Sequence, residues 1–300
     1  MNLPDRYVVY PKKMPGIENQ IILADGRQLG FAEFGDRKGK PIFYFHGFPG
    51  SRLEARLAEK ISLDTQVRFI AIDRPGYGLS SFKPGRTLVN WADDVVDLAN
   101  SLRLERFSIL GVSGGGPYAA ACAAKIPHRL DSVGIVCGMG PVDVPGLMRT
   151  MPLAYRLGLR LASRLPQIAI VLYSFSAFFF RNYPRFMLSI LSGKVAEPDK
   201  IALKNKEFIK ILSASFREAF RRSLRWSASD AVLYSRPWGF DLQDIRIRIH
   251  LWHGERDRIV PPELGRHMAQ VIPDCSATFY PDEGHFSIIL NRIEEIWKIF

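Results

Sequence analysis

Apolar residues along this chain fall into short dense runs, separated by stretches where they recur every three or four positions. Residues 19–23 and 28–34 form two such runs around Asp25-Gly26, a dipeptide that favours a hairpin turn, so a β-hairpin is predicted there. Runs at 41–45, 67–72, 107–110 and 133–137 are nearly all apolar, and each is followed within two residues by Gly or Asp. Between them, 51–62 has helical spacing at Leu53, Leu57 and Ile61. Trp91, Val95, Leu98 and Leu102 form a second helical stripe, and 117–124 reads as a further helix. Short, almost wholly apolar strands alternating with helices imply α/β architecture, a parallel sheet covered on both faces.

The alternation lapses from 141 to 239, which has helical stripes and no clear strand. It resumes with a strand at 245–252, a helix at 262–271, a strand at 277–280 and a last helix at 286–300. The α/β pattern needs both flanks, so 1–140 and 241–300 are expected to form one core with a helical cap inserted at 141–240. Within the cap, 165–180 carries no charge and ends in Phe178, Phe179 and Phe180. It is shorter than the roughly 20 apolar residues of a membrane span and contains Pro166, Gln167 and two serines. A buried cap helix is expected there, in preference to a helix lying in a membrane interface.

Charge sharpens this division. Residues 145–240 hold 16 of the 41 lysines and arginines but only 5 of the 30 acids, which accounts for the whole net charge of +11. A basic cap set in a neutral frame could in principle mark nucleic-acid binding, but no zinc-finger, RRM-like or helix-turn-helix pattern accompanies it, and no nucleic acid is expected. Arg217, Arg221, Arg222 and Arg225 have spacings that would bring several onto one helix face. Guanidinium groups pair well with carboxylates and phosphates. The expected partner is a small acyl substrate, anionic with an apolar part, or an anionic membrane that presents it; the competing reading is a solvated basic face. Cys122, Cys137 and Cys275 are too few and too scattered for a disulfide framework, and Cys122 and Cys137 read as buried thiols. Residues 1–13 contain no apolar signal core, so a reducing, cytoplasmic setting is expected. No metal cluster and no phosphate-binding glycine loop is legible, and no cofactor is expected.

Four loops carry candidate chemistry, each after a predicted strand. Gly111-Val-Ser-Gly-Gly115 fits G-x-S-x-G between a strand and a helix, the context that puts a serine hydroxyl on a sharp turn above a sheet. Ser113 is therefore the candidate nucleophile. His46-Gly-Phe-Pro-Gly50 follows the strand at 41–45, where a loop can aim a backbone N–H at a developing oxyanion; Phe48 and Gly114 are the candidate donors. His46 is read as holding that loop. His253-Gly-Glu-Arg-Asp257 follows the strand ending at 252, and Gly284-His285 follows the last strand. A serine needs a base to take its proton, and the base needs a carboxylate to fix its tautomer, which gives His285 and Asp257 their candidate roles. Asp143, after the strand at 133–137, competes for the acid's place. Glu255 reads as a neighbour, the 73–80 turn as a loop shaper, and His128, His250 and His267 as structural or surface residues.

As a set, His46-Gly-Phe-Pro-Gly50, Asp73-Arg-Pro-Gly-Tyr-Gly-Leu-Ser80, Gly111-Val-Ser-Gly-Gly115, Gly254-Glu-Arg-Asp257 and Gly284-His285-Phe286 resemble the α/β-hydrolase superfamily in motif and order, over roughly residues 20 to 300. The resemblance implies a mostly parallel eight-stranded sheet with a lid inserted after the sixth strand. Relatives that open epoxides or remove halides carry aspartate at the elbow, where this chain has Ser113, so acyl transfer to water is implied, from an ester, or from a thioester or amide, through an acyl-enzyme on Ser113. Relatives that trim peptides hold the amine with cap acids, which this cap largely lacks. Carbon–carbon bond hydrolases use the same Ser, His and Asp, and some members act as small-ligand receptors with little turnover; both stand as alternatives to an ester hydrolase.

Overall fold

The computed structural model describes residues 18–58 and 66–300. The hairpin forms as expected: β1 (Asn19–Ile22) pairs antiparallel with β2 (Gln28–Gly35), and Gly26 sits in the turn at a φ of +82°. Strands β3 (Lys40–Phe45), β4 (Val67–Ile72), β5 (Phe107–Val112), β6 (Leu130–Val136), β7 (Ile249–Gly254) and β8 (Cys275–Tyr280) complete an eight-stranded sheet. Its order is β1-β2-β4-β3-β5-β6-β7-β8, antiparallel at the first two pairings and parallel thereafter.

The central strands are apolar because both faces are covered. Every residue of β5 is buried. On one face, α1 (Trp91–Ser101), α2 (Gly116–Lys125) and α10 (Pro262–Val271) bury Trp91, Val95, Leu98, Tyr118 and Met268. On the other, α11 (Ser287–Asn291) and α12 (Ile293–Trp297) bury Ile288, Ile296 and Trp297 against Phe69 and Val136. Between β6 and β7 lie α3 (Leu147–Thr150), α4 (Leu153–Arg164), α5 (Pro166–Asn182), α6 (Pro184–Ser192), α7 (Glu197–Ala202), α8 (Lys206–Ala219) and α9 (Ser229–Tyr234).

Several expectations need correction. The helix expected over 51–62 is a 3-10 helix at Arg52–Ala58, and Ile61 lies outside the described residues, as does the 1–13 segment. The strand expected from 245 begins at Ile249, because pairing with β6 starts at Val133↔Ile249; the alternation before it belongs to an approach loop. The single helix expected over 286–300 is broken at Arg292, where Asn291 and Arg292 both turn their side chains to the buried Glu283. The stretch 165–180 is helical but not buried: Ala169 and Ala177 face inward, while Phe175 is 67% exposed. Arg217, Arg221, Arg222 and Arg225 do not share a helix face, since α8 ends at Ala219.

Candidate active site

The loops after β3, β5, β7 and β8 meet at the C-terminal edge of the parallel strands, where open α/β sheets bind ligands. β5 turns directly into a 3-10 turn, Ser113–Gly115, and then α2. Ser113 takes a φ of +53°, a conformation that costs a non-glycine residue energy and lifts its side chain clear of the sheet. Gly115 makes the turn possible, because a Cβ there would overlap the Phe45 carbonyl oxygen at the end of β3.

The structure brings three of the candidate residues into one hydrogen-bonded chain. Ser113 Oγ donates to His285 Nε2 at 3.0 Å, and His285 Nδ1 donates to Asp257 Oδ2 at 2.6 Å. Asp257 Oδ1 accepts the amides of Ile259 and Val260 at 2.8 and 2.9 Å, which locks the carboxylate. Burial alone would raise the Asp257 pKa, but the neighbouring His285 and His253 outweigh it and hold the carboxyl well below the usual range. Burial likewise opposes charge on His285, yet Asp257, Asp199 and Glu54 raise its pKa above the ordinary histidine value. Asp143 is elsewhere: it is exposed and lines a surface hollow with His267. Glu255 pairs with Arg266, and His250 stacks on Trp252.

Phe48 and Gly114 are close neighbours: a Cβ added to Gly114 would lie 3.1 Å from the Phe48 amide nitrogen. Their loop is fixed from behind. His46 is buried, donates from Nδ1 to the Gly47 carbonyl at 2.9 Å, and has its pKa pushed down by burial and Arg74. The Arg74 guanidinium holds the carbonyls of His46 and Gly47. The Gly47 amide donates to Glu54 at 3.1 Å, and Tyr234 Oη donates to the Gly114 carbonyl at 2.8 Å.

Three contributors were not legible in the sequence. Glu54 is a buried acid in the wall of the site, kept in place by Tyr44 at 3.0 Å, and burial raises its pKa. Asp199, on α7, accepts the amides of His285, Phe286 and Ser287 at 2.9, 2.7 and 3.0 Å. Gly284 admits it, since a Cβ there would overlap the Asp199 carboxylate. Asp230, on α9, takes Arg74, Arg86, Tyr77 and Tyr118. Three of the five acids in 145–240 thus tie the cap to the core, the third being Glu218 with Arg52. Nothing local in the sequence separates these acids from solvated ones.

A cavity of about 260 Å³ opens onto Ser113 and His285. Its walls are chiefly apolar, including Phe48, Phe180, Leu191, Phe216 and Phe220, and among the described residues no lysine or arginine lines it. Cys137, His253 and Asp257 also place ligand atoms within 4.8 Å of one another. Asp257 is already committed to His285 and two amides, and His253 Nε2 donates to the Val260 carbonyl at 2.8 Å, so this cluster reads as packing behind the site.

Known proteins match parts or most of this chain. One relative is the 2-hydroxy-6-oxo-2,4-heptadienoate hydrolase of Pseudomonas putida, 26% identical over 89% of this chain and 89% of its own. Another is the bifunctional epoxide hydrolase 2 of Sus scrofa, 25% identical over 92% of this chain and 54% of its own. A serine hydrolase-like protein of Danio rerio is 31% identical over 39% of this chain and 37% of its own, so the chain spans about a third to a half of the last two relatives. Among solved structures, a hydrolase of Pseudomonas aeruginosa aligns with a TM-score of 0.70 at 15% identity, covering 95% of this chain and 98% of its own. A malate-bound thermophilic esterase of Thermogutta terrifontis aligns at 0.67 and 24% identity, covering 94% and 96%. The profile of the alpha/beta hydrolase fold family matches residues 40–292. With that match on this sheet topology, the chain belongs to the alpha/beta hydrolase family.

Proposed function

We propose that the protein hydrolyses neutral carboxylic esters with an apolar acyl or alkyl part, through an acyl-enzyme on Ser113. The observation that carries this is the continuous chain from Ser113 Oγ through His285 to Asp257, opening on an apolar cavity. Ser113 Oγ attacks the acyl carbonyl while His285 Nε2 takes its proton. The carbonyl oxygen, now an anion, accepts from the Phe48 and Gly114 amides. His285 returns the proton to the alcohol oxygen as the C–O bond breaks. Water then attacks the acyl-enzyme with His285 as base, and Ser113 leaves reprotonated.

A second reading, carbon–carbon bond hydrolysis, is favoured by the full-length resemblance to the dienoate hydrolase. A dienoate is an acid anion that needs a cation beside it, and among the described residues no lysine or arginine lines this cavity. The anionic part of the expected substrate thus meets no lysine or arginine among the described residues of the cavity, which shifts the basic cap's role outward. The test is a series of neutral aryl esters of increasing acyl length. kcat/KM should climb by up to about fourfold per added methylene until the cavity is full, following the free energy of burying a CH₂. Repeated turnover is expected; one labelling event without further product would favour the receptor alternative. Turnover of a dienoate with no turnover of any ester would overturn the reading.

A further inference from the structure

Helix α5 carries an apolar stripe that nothing among the described residues covers. Ile168, Val171, Leu172, Phe175 and Phe178 recur at helical spacing on one face, each between 43% and 67% exposed. Ala169 and Ala177, both buried, mark the opposite face. The stripe continues onto the neighbouring segments: the Tyr183 ring lies 6.4 Å from that of Phe178, and Phe186 on α6 and Leu157 on α4 are more than half exposed. Contiguous exposed apolar surface of this kind marks an interaction site.

Charge identifies the partner. From residue 144 to residue 196 the chain contains no Asp or Glu and seven basic residues. Arg160, Arg164, Arg181 and Arg185, at the ends of these helices, are all exposed and make no ion pair among the described residues. Two copies of the chain meeting through this face would bring two wholly positive rims together. An anionic bilayer instead supplies an apolar interior and opposite charge at once. No helix among the described residues is long and apolar enough to cross a membrane, so the face would lie in the interface. The same three helices also wall the cavity: Tyr155, Tyr173, Ala177, Phe180 and Leu191 line it.

We propose that the α4–α6 face of the cap docks on an anionic lipid bilayer. Given the ester hydrolase reading above, on which this second step rests, apolar esters enter the cavity from that side. Docking is tested without substrate, by sedimentation of the full chain with vesicles of phosphatidylcholine alone or mixed with phosphatidylglycerol. The chain should bind the mixed vesicles, and bind phosphatidylcholine about tenfold more weakly or less. Binding should weaken as salt shortens the Debye length from about 8 Å. Arg181→Gln with Arg185→Gln should weaken it about thirtyfold, the scale of two interfacial arginines. Phe175→Asp should remove most of it while leaving hydrolysis of a short, water-soluble aryl ester unchanged, because Phe175 is outside the cavity wall. Absence of sedimentation with either vesicle, or binding that Phe175→Asp leaves intact, overturns the proposal. So does a wild-type dimer in solution that Phe175→Asp splits, which would assign the face to a second copy. Vesicle binding without ester hydrolysis would support docking while removing the ester hydrolase reading.

Discussion

His285 stands in the field of three carboxylates, Asp257, Asp199 and Glu54, which together overcome burial and raise its pKa. As the proposed base it works only when neutral. kcat/KM should therefore fall as pH drops through a value above about 6.5, the ordinary histidine pKa. Asp199→Asn removes one of these charges, so the His285 pKa should fall and the acid limb should move to lower pH. A purely structural role for Asp199 would lower activity at every pH without moving the limb; a pH–rate profile of the variant separates the two. Asp257→Asn should lower kcat by about 10⁴, the scale known for loss of an orienting carboxylate, because the imidazole would take the wrong tautomer. Asp143→Asn should change little, since Asp143 sits by His267 on the surface. Steady-state kinetics of the two variants decide between them. Arg221 pairs with Glu18 and Glu218 and does not line the cavity. Arg221→Gln with Arg225→Gln should accordingly leave kcat/KM for a neutral ester unchanged.

The elements carry the site through two clamps between cap and core. Asp230 on α9 is buried between Arg74 and Arg86, and Asp199 on α7 grips the His285 loop. Asp230→Ala would leave two buried guanidinium groups uncompensated and should cost about 3–5 kcal/mol of stability, read from denaturant unfolding. Gly284→Ala forces a methyl against the Asp199 carboxylate and should cost about 1–3 kcal/mol. These clamps mark the limit of what sequence reasoning can reach. The strands and helices of the core were legible because their apolar period is local: 67–72 and 262–271 coincide with β4 and α10. The loops bearing Ser113, His285 and Phe48 were legible because each follows a strand with a recognisable glycine pattern. Asp199 was not, because its partners lie 86 to 88 positions away in sequence. The exposure of α5 was missed for the opposite reason: an uncharged, aromatic-rich stretch reads the same whether it faces a core or an interface.

At the scale of the whole molecule, charge and apolarity are segregated. The core is electrically neutral and the cap holds the excess, yet the cap's inner acids are the ones that secure it. The cavity lies between the two, walled on one side by α4–α6 and closed on the other by the C-terminal edge of the sheet. A neutral apolar ester fits that partition, with its acyl carbonyl at Ser113 and its chain against Phe180, Leu191 and Phe216. Turnover by the proposed route requires Ser113 to become acylated. The most direct measurement of this is mass spectrometry of the intact chain and its peptides after treatment with an aryl fluorophosphonate. One adduct per chain is expected, on the peptide containing Ser113, and none on Ser113→Ala. An adduct on another residue, or undiminished labelling of folded Ser113→Ala, would contradict it.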